Sequence, residues 1–157
     1  MIDLDKSFFE RIFECNKHRE KILYTLSKLQ NRMPLTVHDY ETISDEDESV
    51  IDQMIYRFSK LQDTMGDKLF PGLLKILGEN VKPISFIDRL NRLEELGLLQ
   101  AEEWMQLRRS RNEIAHEYSF NHEDVVESIN IVYSDCRKLI VLYDVFLLFC
   151  EKKSITP

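Results

Sequence analysis

The sequence predicts an all-α protein, an up-and-down bundle of four to five helices, on three observations. Apolar residues recur at helical spacing through most of the chain. No stretch alternates apolar and polar residues long enough to require a strand. Gly and Pro number only 4 each, too few for the turns of a sandwich or barrel. Of 157 residues, 43% are hydrophobic and 31% charged, which supports one soluble domain with one core. The expected organisation is a single domain over residues 1–157, with an acidic loop at about 34–47.

From Asp5 to about Arg32, the apolar residues Phe8, Phe9, Ile12, Phe13, Ile22, Leu23, Leu26 and Leu29 form a helical stripe. Pro34 cannot continue that helix. A second helix is expected to start near Ser44 to Asp47, where acidic residues suit the positive end of the helix dipole. It carries Ile51, Met54, Ile55, Phe58, Leu61 and Met65. Gly66 and Pro71-Gly72 predict a break or kink, after which Leu69 to Leu77 resume helical spacing. Gly78 stops this segment. Ser85 with Asp88 reads as a cap opening a shorter helix through Leu96, closed by Gly97. A fourth long segment runs from about Ala101 to Glu117 or Tyr118. The last helix begins near Asn121 to Glu123 and reaches about Glu151. Its apolar residues around Leu139 to Phe149 lie on more than one side, as in a central helix or one with an oligomer surface.

Composition also narrows the function classes. Cys15, Cys136 and Cys150 form neither a disulfide framework nor a zinc-ligand pattern. The start, Met-Ile-Asp-Leu-Asp-Lys, lacks the features of a secretory signal. The longest apolar run, Leu139 to Cys150, is too short to cross a bilayer. A cytoplasmic, reduced protein that does not enter membranes is expected. The formal net charge is −7, but Asp39, Glu41, Asp45, Glu46, Asp47 and Glu48 account for nearly all of it. By contrast, Met105 to His116 holds Arg108, Arg109 and Arg111 against only Glu113, so a local anion site is compatible with the acidic whole.

The informative stretch is Leu107-Arg108-Arg109-Ser110-Arg111-Asn112-Glu113-Ile114-Ala115-His116-Glu117-Tyr118. Arg111-Asn112, followed by His116-x-Tyr118 just before the last long helix, resembles the signature of the HEPN superfamily. The closest likeness is to HepT-like toxins, which pair with a minimal nucleotidyltransferase. The resemblance covers motif, position and helix order over roughly the whole chain. It implies a homodimer, an RNA substrate and a cognate nucleotidyltransferase antitoxin that transfers AMP onto Tyr118. Negative charge added there would repel an RNA phosphate.

Helix geometry can be read without that likeness. Trp104, Leu107, Arg111, Ile114 and Tyr118 share one stripe, whereas Arg109, Asn112 and His116 fall on another. Arg111 and His116 stand about 140° apart around an ideal helix, an arrangement that favours a symmetric dimer in bringing both to one phosphate. The chemistry such residues support is metal-independent RNA cleavage without a cofactor. His116 is the candidate base for a ribose 2′-hydroxyl. Arg111 is the candidate for stabilising the phosphoryl oxygens, with Arg108 and Arg109 binding phosphate and Asn112 holding the His ring or the phosphate.

Each of these residues also has a structural reading. Arg111 in an apolar stripe also reads as a snorkelling or ion-paired structural residue, Tyr118 as a core residue and the arginines as a solvated face. Trp104 reads as packing rather than as a stacking platform. His18, His38 and His122 carry no assigned role. The alternative function is a non-catalytic nucleotide- or partner-binding module of a minimal nucleotidyltransferase. A purely structural helical adaptor is the third reading.

Overall fold

The computed structural model describes residues 2–79, 84–115 and 120–157. The described residues form helices joined by short connections and include no strand. The helices are α1 (Ile2–Leu29), α2 (Val37–Glu41), α3 (Asp45–Thr64), α4 (Phe70–Ile76), α5 (Phe86–Glu95), α6 (Ala101–Ala115) and α7 (His122–Lys152), with a π-helical turn (Met65–Leu69) welding α3 to α4. No described helix is long and apolar enough to cross a membrane.

Two of these elements differ from the expected four to five helices. The stretch read as an acidic loop at 34–47 contains α2, capped by the Thr36 hydroxyl accepting from the Asp39 amide at 3.1 Å. Asp45, Glu46, Asp47 and Glu48 are the first turn of α3, whose cap is Ser44, accepting from the Asp47 amide at 3.2 Å. The acidity thus sits on the positive end of a helix dipole, where it is stabilising. The kink at Gly66 is also milder than a break, because the chain there widens into a π turn and continues. Pro71 causes no interruption, since it follows directly on the widened π turn, in the first turn of α4.

The core is continuous from α1 through α3 to α7. Ile22 and Leu29 of α1, Met54, Phe58 and Leu61 of α3, and Val132, Leu139 and Tyr143 of α7 are fully buried. Polar groups drawn into this core find partners. The Tyr143 hydroxyl donates to Asn16 Oδ1 at 2.6 Å, and the buried Thr25 hydroxyl to the Ile22 carbonyl at 2.7 Å. Arg19 forks onto Asp144 at 2.7 and 3.0 Å, tying α1 to α7. Asn130 of α7 holds both backbone groups of Leu35, accepting from its N–H at 2.8 Å and donating to its carbonyl at 2.9 Å. The last helix is therefore a central one, though Val141 and Leu148 remain exposed.

The α5–α6 corner sets where the motif-bearing helix lies. The Ser85 hydroxyl caps α5 at the Asp88 amide, 3.1 Å away. Gly97, with φ of 79°, takes the left-handed turn that ends α5 and that side chains disfavour. Glu94 Oε1 then accepts from the Ala101 amide at 2.9 Å, closing the start of α6.

Candidate functional site

Along α6, Trp104, Leu107 and Ile114 are buried, so the predicted apolar stripe is its core face. Arg111 lies at the edge of that stripe with its side chain 28% exposed. It does not point freely outward. Its Nε and Nη2 donate to Asp63 Oδ1 and Oδ2 at 3.0 and 2.9 Å, a two-pronged bridge from α6 to α3. This hydrogen-bonded carboxylate, opposed by partial burial and reinforced by the charges of Asp63 and Asp67, holds the Arg111 guanidinium above its ordinary pKa.

Beside this bridge is a cavity of about 350 Å³ lined by Gln62, Asp63, Gly66 and Asp67 from α3 and the π turn, Phe86 from α5, and Trp104, Arg108, Arg111 and Asn112 from α6. It is large enough for a mononucleotide-sized group. Trp104 meets Phe70 edge-on at 4.9 Å between ring centroids. A Cβ on Gly66 would lie 3.2 Å from the Trp104 ring, so the π turn and the indole approach closely because residue 66 has no side chain. Arg108 lays its guanidinium over the Phe86 ring, 4.4 Å from the centroid. Gln62 is 3% exposed, and its Nε2 is buried with no hydrogen-bond partner among the described residues.

The structure thus brings together three of the residues chosen from sequence, Arg108, Arg111 and Asn112. Asn112 shares the cavity with Arg111 despite belonging to the neighbouring stripe, because the cavity straddles the boundary between the two. Arg109 is exposed and is not among the lining residues. His116 and Tyr118 lie outside the described residues. Sequence reasoning missed Asp63, Gln62, Asp67 and Phe86. The available signal was that Asp52, Tyr56, Lys60, Asp63 and Asp67 follow one another at three- and four-residue steps, a polar stripe opposite the apolar one.

Other regions carry less chemistry. A hollow of about 560 Å³ farther along α3 is lined mainly by Ile43, Ile51, Ile55, Ile114, Val125 and Ile129. Another of about 620 Å³ over α7 includes Asn130, Asp135 and Lys138 and none of the motif residues. Burial pushes the thiols of Cys15 and Cys150 up to about 12 and about 11 and raises that of Cys136 as well, so none is poised as a nucleophile. Among the described residues no three His, Cys, Asp or Glu side chains are grouped to hold a metal ion.

Comparison with protein-family models, curated proteins and solved structures finds no match to this chain.

Proposed function

We propose that this chain is a HEPN-like, metal-independent endoribonuclease, the toxin of a toxin–antitoxin pair, acting as a symmetric homodimer. The observation that carries the reading is the Arg111–Asp63 bridge at the wall of a polar cavity that also holds Arg108 and Asn112. A guanidinium offers two donor edges. Asp63 takes the Nε/Nη2 edge, which leaves the Nη1/Nη2 edge to grip two phosphoryl oxygens in a fixed orientation. In the proposed reaction His116 removes the ribose 2′-hydroxyl proton, the 2′-oxygen bonds to the adjacent phosphorus, and the bond to the 5′-oxygen breaks. The products are a 2′,3′-cyclic phosphate and a 5′-hydroxyl that takes up a proton. Arg111 stabilises the charge that builds on the phosphoryl oxygens, and such preorganised donors are a large term in catalysis. A partner nucleotidyltransferase would silence the site by placing AMP on the Tyr118 hydroxyl.

The same bridge favours a second reading, a non-catalytic nucleotide- or partner-binding module, since an Arg111 already paired is also an ordinary structural cation. One experiment separates the two. Purified protein is incubated with mixed RNA in the presence of chelator, beside His116→Ala and Arg111→Lys. Cleavage yielding cyclic phosphate ends, lost in both variants while the fold persists, supports the nuclease. Absence of cleavage by folded wild type, or cleavage undiminished in His116→Ala, refutes it.

A further inference from the structure

The cavity has an unusual charge balance for a phosphate site. Its described lining sets two carboxylates, Asp63 and Asp67, against two guanidinia, Arg108 and Arg111. Asp63 is consumed by its bridge to Arg111, and Arg108 is stacked on Phe86. Asp67 makes no such pair among the described residues. It is exposed and lines the cavity, close enough for its charge to act on Arg111. A ligand entering here meets hydrogen-bond donors from the free edge of Arg111 and from Asn112, with no net positive charge in the described lining behind them. Gln62 also lines the cavity, but its Nε2 is buried, without a partner among the described residues, and is shielded from a ligand there.

A singly charged acceptor satisfies these donors, whereas a second negative charge on the same group gains nothing more and faces the Asp67 carboxylate. We infer that the α3–α6 cavity is a phosphodiester-selective subsite, in which Asp67 discriminates against the doubly charged phosphomonoester of a chain end or free nucleotide. This inference rests on the nuclease reading for its biological meaning, namely cutting inside a strand rather than at its end, but charge selection is measurable without turnover.

The probes are adenosine 5′-monophosphate and its methyl ester, which share base, sugar and phosphate position. Neither has a phosphate next to a 2′-hydroxyl, so neither can be cleaved by the proposed reaction. At pH 8 the first is a dianion, because its second ionisation lies near pH 6, and the second is a monoanion. Calorimetric titration of wild type is expected to show the ester binding about tenfold tighter, the scale of one unit charge acting on another across several ångströms near a protein surface. Asp67→Asn, at an exposed position, should bring the two affinities within about threefold by tightening the monophosphate. Equal or tighter binding of the monophosphate by wild type overturns the inference. So does a preference unchanged in Asp67→Asn, or no binding of either probe. RNA cleavage by the same preparations keeps the two ideas apart. Protein that cleaves RNA without preferring the ester refutes charge selection and leaves the nuclease standing, whereas protein that prefers the ester without cleaving does the reverse.

Discussion

The two faces of α3 meet their neighbours in opposite ways. Toward α1 and α7 it presents Met54, Phe58 and Leu61, all fully buried in a continuous apolar core. Toward α6 it presents Gln62 and Asp63, continued by Asp67 of the π turn, with a fork of hydrogen bonds to Arg111 and an open cavity between. The first face is held by area removed from water, which is indifferent to direction. The second depends on the angle and reach of a few charged groups. One helix thus serves as both scaffold and site wall, and the stability of the first face permits an unpaired amide and like-charged carboxylates on the second.

The contrast can be broken most strongly from the apolar side. Phe58→Ala should cost about 3–5 kcal/mol of folding free energy, whereas Asp63→Ala, at a partly exposed pair, should cost about 1 kcal/mol. Urea denaturation of the two variants measures both. Equal losses would mean that the bridge is part of the core and that the groove has no independent role.

Gln62→Leu is expected to move stability the other way. Replacing a buried amide whose nitrogen lacks a partner among the described residues with an apolar side chain of similar size should raise stability by about 1 kcal/mol. A thermal scan decides this. A lower melting temperature would show that the amide is satisfied in the fold.

The smallest expected effect lies away from the groove, at His18. Its ring Nδ1 accepts from Arg57 Nη1 at 3.0 Å, which places the ring proton on Nε2. Burial first, then the charges of Arg57 and Lys60, lower its pKa below the ordinary 6.5. The unfolded chain therefore binds a proton that the folded chain refuses, and stability rises with pH across that window. Melting temperature should fall as pH drops below about 6.5, and His18→Gln, whose amide oxygen can still accept from Arg57, should flatten that part of the profile. An unchanged slope in the variant would assign the acid sensitivity to other groups.

Most of the helices were legible because their signals are local. Ser85 followed by Asp88, Gly97 after an apolar turn, and the stripe from Val125 to Phe149 each act within a few residues. Helix α2 was equally local but was overlooked, since its Thr36–Asp39 cap lies inside a run that reads as solvated charge. The π turn was legible only as an interruption, because widening by one residue leaves no distinctive spacing. Arg111, Asn112 and Arg108 were legible as candidates from residue type and motif. Asp63 was not, because its pairing with Arg111 spans 48 positions and exists only once α3 and α6 lie side by side. The same holds for Phe86 beneath Arg108.

The π turn at Met65–Leu69 has a consequence for how this chain can vary. Such a turn is an α-helix carrying one residue more than its ladder needs. Loss of a single codon here would close the bulge into regular helix while leaving the helix after it in its place. Phe70 would keep its place beside Trp104 and Phe146, whereas the widened turn that sets Gly66 against the indole would be gone. Length variation at this one seam, rather than substitution, is the shortest genetic route by which the groove can be made or erased while the core side of α3 keeps its register.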